Sequence, residues 1–509
     1  MLKFAIYNQK GQLATKYTLR NAYLIGSDNN AMRGKISFDQ GLLYIEKREA
    51  GAIALAIQQE VSGKSHVTLR TCMLPERLQP YLINLELARH RIMMIYNKLE
   101  DWGMFEYDPQ SPVITLFNQA KALFFKALPF QSEEPAKAEN LATQALGFAI
   151  DASEALSLAH AQILLERRIE NNECPQWPVG CGMDIQQSSE RLLAGVTANF
   201  DFITLPMTWN QLVPDEGEYN WALTDRWVEW AKSNNLQIAS GPLLSFDHES
   251  IPNWLYMWEH DYTTIKDLVY EHIQRVITRY KSHVSIWNIA SGLHVNSNLS
   301  FSFDQLMDLS RMGAIIAKKI QPQAKVVIEI TEPFGEYYST NAKSVPPLMY
   351  SDLLVQGAVG FDAFSLKILM GQAVSGQFNR DLLQLSNIID RFANFNKKLR
   401  LTFAAPSQPV TQAMIRLPDS GHTVDPQCGY WRRPWDEETQ SQWLEAVAKM
   451  AMSKPFVESI NWHNFIDHAQ IDLPLSGLIT EEMEPKKSYH ALVQFRRLLT
   501  APHADTANQ

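Results

Sequence analysis

The sequence predicts an α/β fold, a (β/α)8 TIM barrel over residues 176–500 preceded by a β-rich, sandwich- or jelly-roll-like region over 1–110 and a helical linker over 111–175. Three observations predict it. Residues 1–110 alternate apolar and polar side chains in short runs separated by Gly, Asn and Asp clusters. Residues 111–172 are rich in Ala with helical periodicity. From residue 178 onward, strand and helix signals alternate, the pattern of parallel β/α units.

In chain order, Lys3–Tyr7, Lys35–Phe38, Leu42–Ile45, Ala52–Ile57 and His66–Leu69 read as strands, and Tyr81–Trp102 reads as a helix. Helical stretches follow at Ala120–Phe130 and Pro135–Glu170, broken at Glu133-Glu134-Pro135. Apolar strand candidates then fall at 179–184, 201–206, 237–244, 284–290, 325–330, 359–366, 399–404 and 458–463. Amphipathic stretches such as Thr264–Tyr280 and Phe303–Ile320 lie between them. In such a barrel the functional residues sit at the C-terminal strand ends, and these direct the search for a site.

At 509 residues the chain suggests two or three domains, and 46% hydrophobic content is ample for packed cores. A net charge of −9 gives no basic field, so nucleic acid and anionic membrane are not expected partners. No apolar run approaches the ~18 residues of a membrane span. Cys72, Cys174, Cys181 and Cys428 show neither CxxC pairing nor metal-ligand spacing, so no metal or cofactor is expected. These thiols and an N-terminus without an apolar signal core lead to the expectation of a cytoplasmic protein.

Residues 201–225 carry Trp209, Pro214, Gly217, Tyr219, Trp221 and Asp225 in a W…EP..G.Y.W…D-like arrangement. This stretch resembles the family 10 glycoside hydrolases, the retaining endo-1,4-beta-xylanases. The resemblance continues through His248, Ile251-Pro252-Asn253-Trp254, Trp287, Asn461-Trp462-His463-Asn464-Phe465 and the ending 473–492, so it spans about 178–498. It implies a (β/α)8 barrel, an oligosaccharide or polysaccharide partner, and two catalytic Glu residues at the ends of strands four and seven. A retaining glycosidase needs two carboxyl groups about 5 Å apart. In this chain the strand-four position is Gly292 and the strand-seven position is Phe403. Neither side chain can transfer a proton or attack a sugar.

Strand five offers a replacement. Its end reads Thr331-Glu332-Pro333-Phe334-Gly335-Glu336, and Glu332, Glu336 and His248 are the candidate catalytic residues. A plainer reading has Glu332 ordering its loop and Glu336 in solvent. Trp209, Asp247, His248, Asn288, Trp431, Trp462 and His463 are the candidate substrate-binding residues. Trp and Tyr can stack on sugar faces, although most Trp are core. The insertion 406–436 either clamps a sugar with Trp431, Arg432 and Trp435 or packs as a lid, and its His422 and Cys428 do not by themselves make a metal site. Asp362 and Lys367 on strand six are expected to pair. Three readings remain open: a carbohydrate-active protein with a nonstandard site at the barrel mouth; an inactive pseudo-glycosidase acting as a glycan-binding or scaffolding protein, with the β-rich N-terminal domain doing the binding; or an interaction protein whose barrel is purely structural.

Overall fold

The computed structural model describes residues 1–500 except 9, 48–50, 62–64, 187–189, 300, 412–413, 415–427 and 469–471. Its centre is a closed barrel of eight parallel strands, in order around the wall Val179–Gly182, Phe202–Leu205, Gln237–Ser240, Val284–Ser291, Lys325–Thr331, Ala363–Leu369, Lys398–Ala404 and Val457–Trp462. The fold class is as predicted. The sixth strand begins at Ala363, later than the apolar pattern indicated, because Asp362 caps its start by accepting from Val326 N at 2.7 Å.

Successive strand residues point to opposite faces, and cross-strand pairing carries that parity around the wall. Ser291 pairs with Glu329 and Glu329 with Ser365; Thr331 pairs with Lys367, Lys367 with Thr402 and Thr402 with Asn461. This set faces the barrel axis. The alternate set, including Phe403 and Trp462, faces the helices: both rings stand edge-on to Trp443 of the helix Glu437–Met452, with centroids 6.1 and 6.3 Å away. Low in the barrel the Phe202 ring crosses Gly180, where a Cβ would lie 2.3 Å from the ring. The Arg400 guanidinium sits over that ring, 4.8 Å from its centroid.

The N-terminal region forms two four-stranded sheets. One combines Leu2–Ala5, Gly34–Asp39, Leu42–Lys47 and Tyr81–Leu82; the other combines Tyr23–Ile25, Ala31–Met32, Ala54–Val61 and Ser65–Arg70. The short strands at Tyr23, Ala31 and Tyr81 escaped the sequence reading, being too short to show a period of two. The helices Ile83–Asp101, Pro112–Ala127 and Pro135–Glu170 close a hydrophobic core over both sheets through Ile92, Phe117, Ala142 and Leu146. Farther along the last of these helices, Ala161 and Leu165 enter the core of the barrel. That helix therefore spans both cores. Arg168 near its end donates to the carbonyls of Met452, Lys454 and Val457 at 2.7–3.0 Å.

A buried ion pair adds to this junction. Arg91 grips Asp381 with two bonds of 2.7 and 2.6 Å, and Asp381 also caps the helix Leu382–Ala393. Bidentate geometry of this kind satisfies both charges without water.

Candidate functional site at the barrel mouth

At the C-terminal ends of the strands lies an open cavity of about 940 Å³. Every strand end contributes to its lining: Gly182, Thr204, Gly241, Asn288, Glu329, Lys367, Thr402 and Asn461. Polar side chains in the interior of a barrel strand need partners, and here they supply one another. Glu329 accepts from Ser291 Oγ at 2.8 Å and from Ser365 Oγ at 2.9 Å, one hydroxyl to each carboxylate oxygen. Thr204 Oγ1 donates to Asn461 Oδ1 at 3.1 Å. Lys367 Nζ donates to Asp472 Oδ2 at 2.5 Å, and His463 Nε2 lies 3.2 Å from the same oxygen. Asn288 is 7% exposed, and its Oδ1 has no hydrogen-bond partner among the described residues.

The electrostatics follow from this crowding. Asp472 is held well below the usual carboxylate range, chiefly by the Lys367 ammonium. Burial opposes charge on Lys367, but the Asp472 and Glu329 carboxylates outweigh it and raise its pKa. Burial and the Lys367 charge lower His463. Glu249, from the loop after the third strand, is pushed up to about 7 by burial and by Asp472. Glu332 is also pushed up to about 7, by burial first and by Glu336 second, against the bond it accepts from Ser375 Oγ at 2.6 Å.

The cavity brings together Glu332, His248, Asp247, Asn288 and His463 from the candidates named above. Asp247 is already occupied: it accepts from Ser245 and Ser250 hydroxyls at 2.5 and 2.8 Å and from the amides of Glu249 and Ser250. It shapes its loop, which turns His248 and Glu249 toward the cavity.

The remaining candidates lie elsewhere. Glu336 does not join Glu332 as an acid/base pair and is not in solvent either; it is 5% exposed and paired with Arg380. Trp462 is 3% exposed, and its indole donates to Ser476 O at 2.7 Å, because strand parity turns it toward the helices. Trp209 is stacked on His272 at 4.9 Å in the core. Trp431 is buried with its indole bonded to Glu154 of the long helix at 2.8 Å, and Arg432 binds the other oxygen of Glu154 at 3.0 Å. The Trp431–Trp435 segment therefore packs as a lid; His422 lies outside the described residues. The expected Asp362–Lys367 pair is absent, since Asp362 binds Lys318 at 2.6 Å on the outside of the barrel. Gly292 directly follows the fourth strand, as the resemblance requires, but Phe403 does not face it across the mouth; Thr402 is the inward residue there.

Sequence reading missed Glu329, Asp472 and Glu249. Glu329 did carry a signal: a charged residue inside the apolar run Val326–Ile330 is costly unless partnered. Asp472 carried none, because its partner is 105 residues away.

Residues 176–306 match the model of glycosyl hydrolase family 10. Over that stretch, the first half of the barrel, the chain is similar to the family. Among curated relatives, endo-1,4-beta-xylanase C of Paenibacillus barcinonensis is 30% identical over 104 residues, which is 19% of this chain and 9% of that protein. The endo-1,4-beta-xylanase of Agaricus bisporus is 23% identical over 270 residues, covering 50% of this chain and 77% of the relative. Among solved structures, xylanase 10B from Thermotoga maritima aligns with a TM-score of 0.47 and 17% identity, covering 65% of this chain and 97% of that one. Xylanase 10B from Thermotoga petrophila, in complex with xylobiose, aligns with a TM-score of 0.45 and 16% identity, covering 66% of this chain and 96% of that one. The family 10 match begins just before the first barrel strand and ends early in the helix after the fourth, Phe303–Ile320.

Proposed function

We propose that this family 10-related barrel is a carbohydrate-active protein that binds a neutral oligosaccharide at its mouth through a site unlike that of the xylanases. One observation carries the reading: an open cavity of about 940 Å³ whose lining includes the hydroxyls of Thr204 and Thr402, the amides of Asn288 and Asn461 and the carboxylates of Glu329 and Glu332. Such groups match the dense, alternating donors and acceptors of a sugar. Family relationship supplies the substrate class, since the curated relatives are named as xylanases. Glu332, its pKa raised to about 7 by burial, would donate to a sugar oxygen in its protonated form. Glu329, Asn288 and His463 would hold hydroxyls around it. Proton transfer at this mouth would fall to a lining carboxyl whose pKa is raised to about 7, Glu332 or Glu249, since Gly292 and Phe403 have no ionisable group.

The second reading, a glycan-binding pseudo-glycosidase, is favoured by the geometry at Gly292. Its φ is +63°, and a Cβ there would lie 2.8 Å from Thr331 Oγ1. Backbone and neighbour both suit glycine, so the strand-four corner is built around the missing side chain. We further place the protein in the cytoplasm, on the grounds that Cys72, Cys174, Cys181 and Cys428 are all unpaired thiols.

The test is a glycan array run beside a hydrolysis screen on the purified chain, with Glu332→Gln and Asn288→Ala as variants. Binding of a β-linked oligosaccharide, weakened by both variants, supports the proposal. Equal binding by wild type and both variants would remove the mouth from consideration.

A further inference from the structure

The wall of the cavity at Ser375–Gln377 is not held by the barrel alone. Glu336 stands behind it, and each of its carboxylate oxygens is committed. Oε1 accepts from Gly376 N at 2.6 Å. Oε2 takes the Arg380 guanidinium and also accepts from Asn21 Nδ2 at 3.1 Å. Arg380 in turn donates to the Tyr23 hydroxyl at 3.1 Å. Tyr23 opens a strand of the N-terminal sheets, and Asn21 lies two residues before it. The pair is buried on both sides, with each side chain 4% exposed. A buried ion pair stays in place only while its remaining donors and acceptors are satisfied.

The same wall presses on Glu332. A Cβ at Gly376 would lie 2.3 Å from Glu332 Cγ, so the backbone of residue 376 touches the carboxylate-bearing side chain. The neighbouring Ser375 hydroxyl is its hydrogen-bond donor. Glu332 itself sits at φ +44°, a conformation a non-glycine residue keeps only when its surroundings enforce it.

We infer that Asn21 and Tyr23 are positioning residues for the barrel-mouth site, acting through the Glu336–Arg380 pair and the 375–377 wall to set the environment of Glu332. The N-terminal sheets thereby become a working part of the mouth. This rests on the reading of the mouth as a binding site, but the arrangement can be tested without a ligand. Among the described residues, Glu336 on its own loop and the Tyr337 phenol interact electrostatically with Glu332, Arg380 and Tyr23 stand behind the wall, and His248, Glu249, Glu329, Lys367 and Asp472 line the same cavity.

The experiment is a ¹³C-carboxyl NMR titration of Glu332 in the full chain, with the resonance assigned by its loss in Glu332→Gln. Asn21→Ala, Tyr23→Phe and the double variant are compared with wild type. Gln58→Leu is the control: it removes a different bond across the same junction, Gln58 Nε2 to Cys428 O at 2.8 Å, and leaves the strut intact. The strut variants should move the Glu332 midpoint by about half a pH unit or more, and Gln58→Leu should not. Tyr23→Phe deletes only a hydroxyl, so it keeps the test readable if the double variant fails to fold. An unchanged midpoint in folded Tyr23→Phe and Asn21→Ala overturns the inference, as does an equal shift in Gln58→Leu. Xylotriose binding, measured on the same samples, separates the two proposals. A shifted midpoint with no xylotriose bound by wild type supports the strut while counting against the sugar reading.

Discussion

Lys367 Nζ and Asp472 Oδ2 meet at 2.5 Å, joining the sixth barrel strand to the loop that follows the eighth. The bond ties these two elements together at the mouth, and Lys367, the one lysine of the cavity lining among the described residues, also feels the Glu329 carboxylate. Asp472→Asn should therefore leave a partly buried ammonium without its main partner. The expected cost is about 1–2 kcal/mol in chemical denaturation, the partial exposure of Asp472 screening part of the loss. Glu249 should also titrate lower, since Asp472 is the largest charge raising it. A Glu249 midpoint unchanged by the substitution would contradict this coupling.

Glu332 makes stability depend on pH. Its folded pKa of about 7 lies above the ordinary value of 4.5. Between those values the folded chain holds a proton that the unfolded chain has released, so stability falls as pH rises through that window and levels off above it. Glu332→Gln should flatten this part of the profile and raise stability at pH 8 by about 1–3 kcal/mol. Denaturation midpoints at pH 5, 6, 7 and 8 give the comparison. A slope equal to that of wild type would show that Glu332 is not the group responsible.

Trp462→Ala should behave as a core deletion. The ring packs toward Trp443 and its indole is bonded to Ser476 O. Truncating a buried Trp costs about 3–5 kcal/mol. Loss of oligosaccharide affinity in a variant of undiminished thermal stability would contradict this placement.

On the proposed reading that Gly292 and Phe403 stand where the family carries its two carboxyls, hydrolysis of xylan by double displacement should be undetectable. Restoring one carboxyl should not rescue it. Gly292→Glu would face positive φ and the Thr331 hydroxyl, so destabilisation of about 1–3 kcal/mol without activity is expected. Reducing-sugar release from xylan by wild type is the decisive assay; robust release would disprove the assignment.

The barrel was legible in the sequence because period and punctuation are local properties. Runs such as Val326–Ile330 and Leu399–Phe403 had to be strands, and the helices between them had to cover the outside. The strand-end position of Gly292 was legible too, anchored by Trp287. The direction of a side chain was harder to read. Phe403 and Trp462 were placed at the right strands but on the wrong face, since a shift of one residue reverses every side chain of a strand.

What the linear order contains, then, is the alternation of strand and helix, the candidate strand ends and the absence of Glu at two of them. Only the tertiary structure decided which carboxyls share the mouth. Glu332 and Glu336 are four residues apart, yet one lines the cavity while the other is locked to Arg380 and to Asn21, 315 residues away in sequence. Asp472 and Lys367 lie 105 residues apart and form a bond. The reason is physical: desolvation and pairing depend on distance in space, and barrel closure brings together residues that no local pattern connects.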